Sequence, residues 1–414
     1  MIHHDIVIVG GGPAGMAAAV AAYDAGITDV VILDRELQLG GILMQCIHNG
    51  FGLHKLGREL TGPEYAAVYA AEVAKRKIKV YTETMVTSLS PEKTVTARNR
   101  DGILKIQAEA VILAMGCRER SRGALNIPGS RPAGIYSAGT AQKLVNCLGY
   151  QVGRRVVILG SGDIGLIMAR RMSYEGAKVE AVCEVMPYSG GLTRNIVQCL
   201  EDFEIPLYLS TTVVQIHGEK RVEGVTIAQV DEKRRPIEQT KRYIPCDTLL
   251  LSVGLIPENE LTREAGIPMD PVTNGALVDE NCMTERPGIF ACGNVLQVHD
   301  LVDYVSEEAE RAGIGAARYI RERNEAHTAI ETKAGFGVRY VLPQVIRNTN
   351  EDVSLFLRVT KPFGRVKFTV ADEQKCILSV RRLKAAPGEM EKLTLKAESL
   401  NNIAGPITVS LEEM

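Results

Sequence analysis

The sequence has almost no net charge, no paired cysteines and no long unbroken apolar run, and each absence closes off a class of function. Its 48 lysines and arginines stand against 50 aspartates and glutamates, a formal charge of −2. With both signs scattered through both halves, no basic stripe is available to neutralise nucleic-acid phosphates, and nucleic acid is not an expected partner. The most apolar N-terminal stretch, Ile6 to Ala22, is broken by Gly10, Gly11, Gly12, Pro13 and Gly15 and has no basic leader. It reads as neither a signal peptide nor a membrane span. The nine cysteines fall at 46, 117, 147, 183, 199, 246, 282, 292 and 376, with no CxxC among them. An odd, dispersed set without an export signal suits a reducing cytoplasm, and no iron–sulfur or zinc site is expected.

What remains is an ordinary globular composition, 45% apolar and 24% charged, spread over 414 residues. At roughly 100 to 200 residues per domain, that length implies two or three domains.

Asp5 to Val9 is a β-branched run suited to a strand buried on both faces, and it ends in Gly10-Gly11-Gly12-Pro13-Ala14-Gly15. This is GxGxxG between a strand and an Ala-rich helix. Gly10 allows the tight turn, Gly12 lets bare backbone approach a pyrophosphate, and Gly15 lets helix and strand pack closely. The phosphates, flanked by Pro13 and Ala14, would lie at the positive end of that helix. A second strand, Val30 to Leu33, leads to Asp34, 34 − 10 = 24 positions after the first glycine. Asp34 is the expected acceptor for an adenosine ribose, with Arg35 beside it as a further contact and Glu36 as the fallback.

The pattern recurs. Arg155 to Leu159 runs into Gly160-Ser161-Gly162-Asp163-Ile164-Gly165, a helix through Tyr174, and a strand, Lys178 to Cys183, that ends at Glu184. Two fingerprints imply two dinucleotides, with Gly160, Gly162, Asp163, Ile164 and Gly165 forming the second cradle. Glu184 would bond a ribose diol and repel a 2′-phosphate, which predicts NAD(H) over NADP(H).

With both fingerprints in view, the chain resembles the pyridine-nucleotide-dependent flavoproteins that include glutathione and thioredoxin reductases, over roughly residues 5 to 325. Val111-Ile112-Leu113-Ala114-Met115-Gly116 is similar to the segment where such chains leave the FAD domain. Leu249 to Pro257, containing Gly254, is similar to the close of their NAD domain, and Thr284 to Asn294 to the second FAD motif, with Asn294 in the usual aspartate position. The resemblance implies an FAD site including Gly41, Ala114, Gly116, Gly293 and Asn294. It also implies a helix from Asp300-Leu301-Val302-Asp303 to about Arg323 whose positive end faces the flavin; Asp300 and Asp303 could equally cap it.

The implied fold is α/β: two Rossmann-like, glutathione reductase-type dinucleotide-binding domains, the second inserted in the first. The FAD domain is expected at 1–117 and 283–328 and the NAD(H) domain at 118–282. From Lys333 the pattern changes to short alternating segments, read as a small all-β sandwich at 335–414 that serves for docking or assembly, or as a lid or spacer.

The paired cysteines of the disulfide reductases are absent. Cys46, His48 and His299 are the candidate catalytic residues, each also open to a packing or hydrogen-bonding role. Gly40 to Gly52, Thr61 to Tyr65 and Arg131 to Gly134 resemble the small FAD subunits of hydrogen cyanide synthase and of amino-acid or opine dehydrogenases. They also resemble small flavoproteins that accompany glycerol-3-phosphate dehydrogenase-like enzymes. The resemblance implies electron transfer between NAD(H) and a partner flavoprotein dehydrogenase subunit or other acceptor, with a homo-oligomer also open. The alternatives are a direct amino-acid, amine or hydroxy-acid dehydrogenase, a single-cysteine disulfide or peroxide reductase, and an assembly subunit with structural nucleotides.

Overall fold

The computed structural model describes residues 1–322 and 329–414; the expected domain end at 328 and the expected helix end at Arg323 lie outside the described residues. The chain divides into two units, Met1–Cys117 with Pro257–Met414, and Arg118–Ile256.

The first unit is built on a sheet whose strand order is Lys79–Tyr81, Val30–Leu33, Ile2–Val9, Gly102–Leu113, Thr94–Asn99, Met85–Leu89, with Ile289–Ala291 paired to the far half of Gly102–Leu113. The strands around the fingerprint pair in parallel, and Ile6 to Val9 and Val30 to Leu33 are all buried. That is why they read as unbroken Val and Ile runs: both faces are covered, so neither is polar. One face carries the fingerprint helix Pro13–Asp24 and the long helix Val302–Glu322. Small residues bring these two helices together; a Cβ on Gly313 would lie 2.3 Å from the Ala18 carbonyl oxygen.

The second unit repeats the plan in five parallel strands, ordered Ile135–Ser137, Thr248–Leu251, Arg155–Leu159, Lys178–Cys183, Leu207–Tyr208. A three-stranded antiparallel sheet, Thr211–His217, Gly224–Gln229 and Arg242–Pro245, covers one face through Val213, Ile216, Val225 and Ile227.

The sequence places the return from the second domain at 283, whereas in the structure the first unit resumes at Pro257. The reason is burial: Ala265, Ile267, Ala276 and Val278 lie in the first unit's core with Val7, Val111 and Leu113.

The C-terminal region is two sheets, one ordered Val345–Ile346, Ile330–Ala334, Ile407–Glu413, Val366–Ala371, Cys376–Arg382, the other Val338–Leu342, Val353–Val359, Glu391–Leu395. Val366–Ala371 alternates buried and half-buried residues, as a strand with one wet face should, but Val353–Val359 does not. Its odd residues, Val353, Leu355, Leu357 and Val359, fill the sandwich. Phe356 points the other way, into the core around Val7, Val9 and Leu113, joined there by Tyr340, Leu342 and Met390. This sheet is therefore covered on both faces, and the module is packed onto the first unit rather than tethered beside it.

Polar contacts fix the same junction. Glu280 accepts the N–H groups of Arg347 and Asn348 at 2.8 and 3.0 Å, and the neighbouring Asp279 lies 3.7 Å from the Arg347 guanidinium. Burial, and then the Glu280 charge, push the Asp279 carboxyl up to about 7 against hydrogen bonds from the Met283 and Asn281 backbone.

Two outcomes follow for stability. Replacing Phe356 by alanine should cost about 3–5 kcal/mol in denaturant unfolding, because it removes a ring buried between module and sheet; a cost below about 1 kcal/mol contradicts the shared core. The raised Asp279 value means that its neutral form is favoured by folding. That contribution is complete below the unfolded value of roughly 4 and is lost as pH rises through about 7. Asp279→Asn should therefore raise Tm above wild type at pH 8 and change it little at pH 4, and equal shifts at both pH values would refute the assignment.

Candidate dinucleotide sites

Three glycines of the first fingerprint have different causes. Gly10 sits at φ +106°, and a Cβ there would lie 2.4 Å from the Ala114 carbonyl oxygen; one on Gly15 would lie 1.8 Å from the Gly10 carbonyl oxygen. Both are demanded by the protein's own packing. Gly12 is not: a Cβ on it would find no protein atom nearer than the Gly41 Cα at 4.0 Å. Its bare backbone faces open space at a helix end capped by no side chain, with Pro13 in the first turn and no acid there. Room for an anion and uncompensated positive dipole coincide, which is the fit a pyrophosphate requires.

The second fingerprint repeats this division. Cβ atoms on Gly160 and Gly165 would meet the Ser252 carbonyl oxygen at 2.0 Å and the Gly160 carbonyl oxygen at 2.8 Å, whereas on Gly162 the nearest atom is Ser252 Oγ at 3.5 Å, an ordinary contact. Ser252 Oγ also accepts the Gly165 N–H at 3.0 Å, a locking role no sequence motif signals. Gly116 and Gly254, both at positive φ, likewise have no protein atom within 4 Å of a Cβ.

Both expected ribose acids have a task before any nucleotide arrives. Asp34 Oδ2 accepts the Gly11 N–H, and Oδ1 accepts the Glu36 N–H at 2.7 Å. Burial raises the Asp34 carboxyl and these two bonds pull it back. Glu184 Oε2 accepts the Ser161 N–H at 2.9 Å and the Ser161 hydroxyl at 2.7 Å, and Oε1 accepts the Met186 N–H at 2.9 Å. Each carboxylate thus ties the second fingerprint residue to the backbone two positions past itself. A carboxylate has about four acceptor positions, so room is left for a ribose hydroxyl in each. Arg35 and Glu36 carry exposed side chains 3.9 Å apart. Asp163 Oδ1 accepts the Leu192 N–H at 2.8 Å and the Asn195 amide at 2.6 Å, ordering the loop after Glu184, while Ile164 packs against the core.

In the first unit the structure brings Gly41 and Gly293 beside the first fingerprint. The Gly41 backbone lies against Gly12, and a Cβ on Gly293 would lie 2.8 Å from the Ala14 methyl. Asn294 follows, its Oδ1 accepting the His299 backbone N–H at 3.0 Å and its Nδ2 donating to Cys117 Sγ at 3.6 Å. The His299 ring is 1% exposed, with Nε2 3.3 Å from Glu308 Oε2. Burial pushes the Glu308 carboxyl up, but the neighbouring His299, with help from Arg311 and Gln297, holds it below the ordinary range. Glu308 Oε1 accepts the Gly293 N–H at 2.7 Å. His299 is thus a buried brace for the second motif.

The carboxylates at the long helix are also engaged. Asp303 accepts the N–H groups of Gly52 and Lys55 at 3.3 and 2.9 Å, which fastens the loop after Gly41, and Asp300 pairs with Arg358 at 3.4 Å; Val302 packs into the core. In that loop, half-buried His48 donates from Nδ1 to the Asn49 carbonyl at 3.0 Å with its ring 5.0 Å from Phe51, and the Cys46 thiol donates to the Ile42 carbonyl at 3.3 Å. No disulfide joins any two of the nine cysteines. Among the described residues no group of three His, Cys, Asp or Glu is placed to hold a metal ion, and no helix is long and apolar enough to cross a membrane.

Two Rossmann units, each with an uncrowded glycine at a helix end that no side chain caps and an acid fastened to the turn, define an oxidoreductase of the two-dinucleotide type. The family model for pyridine nucleotide-disulphide oxidoreductases matches residues 4–309, and the chain belongs to that family, whose members use FAD and NAD(P)H. It is 26% identical to an opine oxidase subunit of Agrobacterium tumefaciens over 318 residues, 70% of this chain and 61% of that relative, so the chain spans less than two thirds of it. It is 24% identical to hydrogen cyanide synthase subunit HcnB of Pseudomonas aeruginosa over 78% of this chain and 74% of that one. The crystal structure of T. acidophilum thioredoxin reductase superposes with a TM-score of 0.63 at 25% identity, covering 77% of this chain and 98% of that one.

The glycine division gives a direct test. Gly12→Ala should keep the wild-type Tm of the apoprotein within about 2 °C yet weaken FAD binding at least tenfold, whereas Gly15→Ala should fail to fold. Equal FAD binding by folded Gly12→Ala protein would show that the open space is not the cofactor's.

Proposed function

We propose that the chain holds FAD in the Met1–Cys117 and Pro257–Met414 unit and NAD(H) in the Arg118–Ile256 unit, and moves electrons between NAD(H) and a partner flavoprotein dehydrogenase or other acceptor. The observation that carries this reading is the pair of uncrowded glycines, Gly12 and Gly162, each left bare for reasons the protein's own packing does not supply. Bound FAD supplies the ring that takes up a hydride and passes electrons on.

The chain's residues do the rest. Gly12 leaves backbone open to the pyrophosphate, Asp34 and Glu184 offer their remaining lone pairs to ribose hydroxyls, and the brace of Glu308, His299 and Asn294 holds the second FAD motif. Glu184 also supports NADH over NADPH, since a 2′-phosphate would bring negative charge against its carboxylate.

The electrons leave at the loop after Gly41. Ile42, Ile47 and Leu53 are 57%, 39% and 42% exposed, and Leu37 before them is 73% exposed. Large apolar side chains concentrated in one short stretch suit a protein surface that is covered on docking. Two relatives, those from opine oxidase and hydrogen cyanide synthase, are named as subunits of their enzymes, which supports a partner. No CxxC stands in the sequence to carry electrons to a disulfide.

Anaerobic mixing of the yellow holoprotein with NADH or NADPH tests the reading. NADH should bleach the flavin band and NADPH should do so at least tenfold more slowly, with Glu184→Ala narrowing that ratio mainly through the apparent KM. No bleaching by NADH would sink the proposal, and faster bleaching by NADPH would overturn the role given to Glu184.

A further inference from the structure

The backbone between Asn294 and the long helix is held from outside the Rossmann sheet. Arg358, on the Val353–Val359 strand of the C-terminal module, donates from Nη2 to the Val298 carbonyl at 3.0 Å and lies 3.4 Å from Asp300 Oδ1. Its Nη1 donates to the Pro387 carbonyl at 2.9 Å, and Asp300 Oδ2 accepts the Met390 N–H at 3.3 Å, so the contact is itself anchored in the module. The Arg358 and Asp300 side chains are 12% and 7% exposed. A guanidinium can span two acceptors in a fixed fork, which an ammonium cannot.

The clamped segment does two things. Its His299 N–H fixes the Asn294 carboxamide oxygen, and its far end places Asp303, which fastens Gly52 and Lys55. A shift at Val298 and Asp300 is therefore transmitted both to the second FAD motif and to the loop that begins at Gly41.

We propose that Arg358 is a positioning residue of the FAD site, acting through the Val298 carbonyl and Asp300, and that the C-terminal β module is in this sense a part of that site. The inference rests on the assignment of FAD to this unit. It differs from a docking or lid role because the module's working contact faces inward.

Full-length apoprotein titrated with FAD, followed by flavin fluorescence quenching and visible circular dichroism, tests this. Arg358→Ala should raise the FAD dissociation constant about tenfold or more and alter the flavin dichroism, with Arg358→Lys in between because it keeps charge but loses the fork. Lys392→Ala is the control, since it cuts another contact of the same module, a 2.9 Å pair with Glu307 on the long helix, without touching residues 298–300. It should change the dissociation constant by less than about twofold. A purely structural role for Arg358 would lower Tm and leave FAD affinity and dichroism unmoved in folded Arg358→Lys protein; that result, or an equal effect of Lys392→Ala, overturns the inference. If Arg358→Ala does not fold, the lysine variant carries the comparison. Wild-type protein that takes up no FAD overturns the assignment of the site, and this inference with it.

Discussion

Both nucleotide turns depend on two stretches of backbone passing closer than any side chain allows. The carbonyls of Ala114 and Ser252, each just past the end of a central strand, lie over Gly10 and Gly160, and the Gly10 and Gly160 carbonyls lie under Gly15 and Gly165. Because these contacts are backbone on backbone, nothing flexible can yield to a substituent, and the turn geometry is set once the parallel strands are in register. The helix then points its open end at a fixed place. In each site the acid at the next strand's end is arranged around that point, and in the first unit so are the Gly41 approach and the second motif.

That dependence explains what the sequence could tell. Strand runs such as Val30 to Leu33 and Val156 to Leu159 are buried on both faces, so composition alone marks them, and the glycines are irreplaceable for steric reasons, so their spacing is visible. The braces were hidden. Glu308 lies 15 positions beyond Gly293 on a helix whose amphipathic pattern reads as packing, and Arg358 is one arginine on a strand of the tail. Ser161 and Ser252 carry a hydroxyl that closes a turn, but nothing in their neighbours reveals the partner. Side chains that act across long chain separations leave no local pattern.

The same limit explains the misplaced return to the first unit. Residues 257–282 lack the alternation or run length that marks a strand, yet Ile267, Ala276 and Val278 fill the core against the sheet. Short bridges such as Met269 with Ala276 and Val278 with Thr284 hold this stretch. The tail's alternating strands mark a small sandwich, but they carry no sign that Phe356, Tyr340 and Met390 belong to the first unit's core.

The fastening of Asp34 and Glu184 to their own turns bears on how nucleotides come and go. A buried carboxylate with no partner would be unstable once its ribose left, and an emptied pocket would have to close or rearrange. On the proposed assignment the backbone already satisfies part of each charge, so the cradle would keep its shape between ligands and water would take over the remaining lone pairs. A dissociable dinucleotide can then leave and be replaced without the loop refolding each time. For a cosubstrate used once per turnover, a site that stays ready between visits keeps exchange from becoming the slow step.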